Sequence, residues 1–171
     1  LGLWHLGFGS VEVGSVLEYG QPGTTKPRLF MVSSGVAINW LGFNSPGMDI
    51  VAKNLDRYKH TNIPIGISLG LNKDVDHVDA PKAYGTVAKR MYDYAGYFAI
   101  NVSSPNTPGL RKLQDKEHTV HIIEFVNHAM DECGDRKPLF VKIAPDLTYQ
   151  AIDELLEVAV QHKVTGIIAS N

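Results

Sequence analysis

The sequence predicts an α/β fold: a (β/α)8 TIM barrel to which this chain contributes five βα units. Three observations lead there. Five short apolar, β-rich runs recur at residues 10–16, 63–69, 97–102, 139–144 and 166–170. Helix-like segments fall between the later runs, near residues 83–94, 116–132 and 149–162. Continuous apolar strands separated by helices mean a parallel sheet covered by βαβ crossovers. Finally, no G-x-G-x-x-G or P-loop follows any run, which argues against an open dinucleotide- or nucleoside-triphosphate-binding sheet. A barrel needs about 250 residues, whereas this chain has 171, begins just before one strand and stops on another. An internal piece of a barrel, a single domain over residues 1–171, is therefore expected.

The elements follow in order. After the first run, residues 19–28 carry Gly, Pro and Thr, and residues 29–32 and 36–39 flank Ser33-Ser34-Gly35. That pattern reads as a loop with a small hairpin, inserted before a helix near residues 48–58. The last helix has the clearest period: Ile152, Leu155, Leu156 and Ala159 share one face, and Asp153, Glu154 and Glu157 the other. Thr148 stands where its N-cap belongs. Beyond the βα unit there is no repeat, low-complexity tract or dividing linker.

Composition narrows the function. With 44% hydrophobic and 20% charged residues, the chain is an ordinary globular protein. A formal charge of −2 and dispersed Lys and Arg leave no basic field for nucleic acid. No apolar run approaches the roughly 20 residues of a membrane helix. The start Leu1-Gly2-Leu3-Trp4-His5 has neither Met nor a charged n-region, so it reads as neither a signal peptide nor a natural N-terminus. Cys133 alone forms no internal disulfide, which makes a reducing compartment the default. His118, His121 and His128 lie on one helix with no carboxylate completing a metal set, so no metal is expected.

Polar residues at strand ends carry the chemistry. The run NVSSPNTPGLR at 101–111 follows an apolar strand with amides, hydroxyls and stiffening prolines, Pro105 and Pro108. Lys142 breaks the apolar strand at 139–144; it either pairs with Glu12 or faces an anionic ligand or a reduced cofactor. Ser68 is flanked by Gly66 and Gly70, which leaves room for a flat ligand or simply a weakly packed strand. Ser170 and Asn171 end the last strand, Asn39 ends the hairpin, and Asn44 lies close by. Amides donate and accept together, so such a cluster suits a pyrimidine ring.

The motifs GFGSVEVGSV (7–16), KPRLF (26–30), INWLGFNSPG (38–47), GLNKD (70–74), AINVSSPNTPGLRKLQ (99–114), VKIAPDLT (141–148) and GIIASN (166–171) resemble dihydroorotate dehydrogenase along essentially the whole chain. Serine at Ser104, where the cytosolic class has cysteine, resembles class 2, the quinone-linked branch. The resemblance implies an FMN-containing (β/α)8 barrel, here strands two to six. Its reaction is oxidation of (S)-dihydroorotate to orotate in de novo pyrimidine biosynthesis, with electrons passing to quinone through a segment absent from this sequence. It further implies peripheral association with a bacterial or mitochondrial inner membrane.

By the same resemblance Ser104 is the base that removes the C5 proton, with Thr107 and Phe43 along the proton's exit. Asn39, Asn101, Asn106 and Asn171 hold the pyrimidine, and Trp40, Leu41, Gly42 and Phe43 border its pocket. Ser15, Ser68, Asn101, Lys142 and Ser170 face the flavin, which takes a hydride from C6 at N5. Departures are Ser68 for a usual asparagine, Trp40 for an arginine, Leu71 for a lysine, and Ser15 and Ser170 for threonines. The family's first strand, its last two strands and its N-terminal helices lie outside this sequence. The 171 residues alone are therefore expected neither to close a barrel nor to hold FMN. Two alternatives stay open: an FMN barrel acting on another dihydropyrimidine or on dihydrouridine in tRNA, and a non-catalytic barrel remnant.

Overall fold

The computed structural model describes residues 2–104 and 115–170. Five parallel strands make its main sheet: β1 (Val11–Val16), β4 (Ile65–Leu69), β5 (Tyr97–Asn101), β6 (Leu139–Ile143) and β7 (Gly166–Ala169), paired in that order. An antiparallel pair, β2 (Leu29–Ser33) and β3 (Val36–Asn39), forms the expected hairpin. Helices α2 (Met48–Leu55), α3 (Ala80–Met91), α4 (Lys116–Asp131) and α5 (Tyr149–Gln161) supply the crossovers, and a short α1 (Gly2–His5), not expected from the sequence, precedes β1.

Local signals explain the helix ends. α3 starts earlier than the sequence pattern suggests because Pro81 sits in its first turn, where the missing N–H costs nothing. Asp115 caps α4 by accepting from the His118 N–H at 3.0 Å, and its carboxylate also meets His118 Nδ1 at 2.8 Å. Thr148 caps α5 as expected, accepting from the Ala151 N–H at 3.2 Å.

Strand register sorts the side chains into two faces. Pairs Ile67–Phe98, Phe98–Leu139, Leu69–Ile100 and Ile100–Val141 line the outer face. There they pack under Tyr84, Val87 and Met91 of α3 and Ile122, Val126 and Met130 of α4 as one continuous buried core. The alternate positions form the inner face in rows: Glu12–Gly66–Tyr97, then Gly14–Ser68–Ala99–Phe140, then Asn101–Lys142–Ile168. The floor is aromatic, with the Tyr97 and Phe140 rings edge-on at 5.4 Å. The top is polar. Continuous apolar strands over an outer helical layer are what α/β barrel strands require, so the predicted fold class is borne out.

The hairpin stands apart from this core. Leu29, Phe30, Met31, Val32, Val36 and Ile38 are all exposed. Residues leading into and out of the hairpin continue the ribbon: Trp40 N–H donates to Arg28 O at 2.8 Å, and Thr24 N–H to Leu41 O at 3.1 Å. Reciprocal bonds between Gln21 and Ser45, at 2.9 and 3.0 Å, close it. That ribbon delivers Asn39 and residues 41–44 to the carboxyl ends of the main strands.

Candidate active site

The site is built from strand ends outward. Between Gly14 and Val16 the β1–β4 register slips, and this turns Ser15 toward the inner face. Only glycine fits at Gly14. Its φ is +141°, and a Cβ would lie 2.6 Å from the Ser68 carbonyl oxygen. The close approach brings Ser15 Oγ to 3.1 Å from Ser68 Oγ. Asn101 Nδ2 donates to Ser15 Oγ at 2.9 Å, and Asn101 Oδ1 accepts from Ser103 Oγ at 3.1 Å. From the helix side the Tyr84 hydroxyl donates to the Asn101 carbonyl at 3.0 Å. Burial pushes the Tyr84 pKa far up, so its hydroxyl stays a donor. One line of hydrogen bonds thus fixes Ser68, Ser15, Asn101 and Ser103.

Lys142 stands beside Asn101 in register and is half-buried. The structural pairing with Glu12 is not formed, and no ion pair holds Lys142 among the described residues. Glu12 accepts instead from the Tyr97 hydroxyl at 3.3 Å. Burial, and secondarily the Glu12 charge, raises the Tyr97 pKa and keeps that donor protonated. Among the described residues Lys142 therefore stands on the inner face in no ion pair, which leaves the ligand-facing reading open.

These groups line a cleft of about 440 Å³, within the range of small-molecule sites. It gathers Ser15, Asn39, Leu41, Gly42, Phe43, Ser68, Asn101, Ser104 and Lys142, together with Glu12, Gly14 and Asn44. Ser104 and Asn101 are each only 7% exposed. Two candidates are not in this wall. Trp40 is exposed and does not line the cleft, although its neighbours Asn39 and Leu41 do. Ser170 is exposed and outside the cleft. Asn106, Thr107, Asn171, Pro105 and Pro108 lie outside the described residues.

The glycines beside Ser68 need correcting. A Cβ at Gly66 would clash with the hydroxyl end of the Tyr97 ring, and one at Gly70 would lie 2.8 Å from Ser15 Cβ and 2.9 Å from Leu17 Cδ2. Both make room for protein groups rather than for a flat ligand. Ser68 itself does line the cleft.

Sequence reading missed Gln21 and gave Asn72 no role. Gln21 Nε2 donates to the carbonyls of Gly42 and Phe43 at 3.2 and 3.0 Å. Asn72, 8% exposed, pairs with the Tyr19 backbone in both directions at 3.1 and 3.0 Å. The only sequence signal was two amides next to Gly–Pro-rich turns, a pattern shared by ordinary loops.

Among the described residues, hydroxyls, amides and the Lys142 cation converge at the carboxyl strand ends of a parallel βα sheet, the place where α/β barrels carry their sites. The family model described as dihydroorotate dehydrogenase matches residues 1–171, and the chain belongs to that family. The dihydroorotate dehydrogenase (quinone) of Chloroflexus aurantiacus is 45% identical over 97% of this chain and 47% of its own length. That of Synechococcus sp. is 45% identical over 100% of this chain and 45% of its own. The crystal structure of DHODH from Eimeria tenella in complex with ferulenol superposes with a TM-score of 0.90 at 34% identity, covering 97% of this chain and 50% of that one. The ligand-free form gives 0.86 at 33% identity, covering 94% and 50%. The chain thus spans about half the length of the curated relatives it matches.

Proposed function

We propose that this chain forms the substrate-facing part of an enzyme that oxidises (S)-dihydroorotate to orotate in de novo pyrimidine biosynthesis, with FMN as cofactor and a quinone as final electron acceptor. The observation that carries the reading is the meeting of Asn39, Asn101, Ser104 and Lys142 in one cleft. A dihydropyrimidine carboxylate presents alternating N–H and C=O groups, which amides match. Asn39 and Asn101, with Asn106 and Asn171, would hold that ring, and Leu41, Gly42 and Phe43 would border it.

Ser104 would take the C5 proton. A serine hydroxyl is a weak base in water, so it serves only where solvent is excluded, and its burial here supports the role. Thr107 and Phe43 would line the proton's way out. Support for a flavin comes from Lys142, in no ion pair among the described residues, standing beside the hydroxyl–amide line of Ser68, Ser15 and Asn101. Ser15, Ser68, Asn101, Lys142 and Ser170 would hold it. FMN, when bound, supplies the acceptor for the hydride leaving C6.

The quinone-type name of the relatives supports peripheral attachment to a bacterial or mitochondrial inner membrane. Among the described residues no helix is long and apolar enough to cross a membrane. The test is anaerobic: the complete open reading frame is expressed, and flavin absorbance is followed on adding dihydroorotate. Bleaching is expected; FMN that stays oxidised would overturn the reading.

A further inference from the structure

Gln21 does not line the cleft, yet its side chain ties three loops together. Its Nε2 donates to two carbonyls of the cleft wall, Gly42 O and Phe43 O. Its Oε1 accepts from the Lys73 N–H at 3.1 Å and from Asn72 Nδ2 at 3.3 Å. Both hydrogens and both lone pairs of the amide are used. Asn72 is anchored in turn on the Tyr19 backbone, so the clasp rests on the loop after β4.

The wall it grips needs gripping. Gly42 has φ +64° and Phe43 φ +50°, both left-handed, and for a phenylalanine that conformation is strained. The two consecutive carbonyls meet one amide, the only uncharged side-chain type that offers two N–H donors from a single nitrogen. Side chains on the cofactor side, Ser15, Ser68 and Lys142, make no hydrogen bond to Gln21 or Asn72 among the described residues. The clasp is therefore selective for one side of the cleft.

We propose that Gln21 is a positioning residue for substrate: through the carbonyls of Gly42 and Phe43 it sets where the 39–43 wall stands, and hence how tightly the dihydropyrimidine is held. The proposal rests on the functional reading above. Its site is distinct from the flavin face, so substrate and cofactor binding separate when it is altered.

The test uses the complete flavoprotein with Gln21→Met, which keeps length but loses every hydrogen bond, and Gln21→Glu, which keeps the acceptor and loses the donors. Both variants should raise the dihydroorotate KM about tenfold, roughly 1.4 kcal/mol. FMN stoichiometry and quinone KM should stay at wild-type values, and kcat should change far less than KM. An unchanged KM overturns the proposal, and so does FMN loss that parallels the rise in KM. If neither variant yields a folded flavoprotein, Gln21 holds the fold rather than the wall, and the proposal falls. Wild-type enzyme that dihydroorotate does not bleach sinks the functional reading itself; bleached wild type with unaltered variants sinks only the role of Gln21.

Discussion

Asn101 on β5 donates from Nδ2 to Ser15 Oγ on β1 at 2.9 Å, reaching across β4, whose Ser68 meets the other side of the same hydroxyl. Three strands are thereby coupled at their carboxyl ends by side chains, in addition to their backbone ladders. In Asn101→Ala, Ser15 and Ser103 each lose one hydrogen bond near a buried position. Unfolding by urea of the complete protein should show a loss of about 1–3 kcal/mol. A loss under half that range would mean that water replaces the amide.

Ser104→Ala should leave flavin content unchanged, because the residue faces the reacting carbon and not the cofactor in the proposed site. Stopped-flow reduction by dihydroorotate should slow by about 10²–10⁴-fold, the usual worth of a positioned base. Reduction at the wild-type rate would remove Ser104 from that role.

Lys142→Ala removes the one cation of the inner face that no acid neutralises among the described residues. A charge-assisted contact is worth about 1.5–3 kcal/mol, so FMN should dissociate about tenfold to a hundredfold more readily in equilibrium dialysis. The reduction potential of retained FMN should fall, since an anionic reduced ring loses its counter-charge. Unaltered affinity and potential together would contradict the assignment.

Gly14→Ala tests the close approach of β1 to β4. The added methyl meets backbone at Ser68, which cannot step aside like a side chain, and φ +141° is foreign to alanine. Strain and overpacking each cost about 1–3 kcal/mol, so the denaturation midpoint should fall clearly below wild type. Gly35→Ala is the matching control for φ, since at φ +85° it meets no atom within 4 Å. It should cost less.

Much of this was legible because strands and helices write their periods into sequence. The alternation in Leu139–Ile143 put Lys142 on the face opposite Val141, and the structure keeps it there. Thr148 announced its helix by residue type, and the hairpin by Ser33-Ser34-Gly35. Gln21 was illegible because its partners Gly42 and Asn72 are 21 and 51 residues away and its bonds go mostly to backbone, which carries no residue code. Gly66 misled for a related reason. A glycine marks a close approach without saying what approaches, and here the visitor is the Tyr97 ring.

The exposed hairpin has a consequence for how such a protein changes over time. Leu29 to Ile38 contribute nothing to the buried core, so substitutions there are nearly free of folding cost. At the base of the ribbon the Gly42 and Phe43 carbonyls are held by Gln21 rather than by the turn at 33–36. Tip and cleft are thus separable modules. Drift can remake whatever the tip meets while the chemistry at its base is inherited intact.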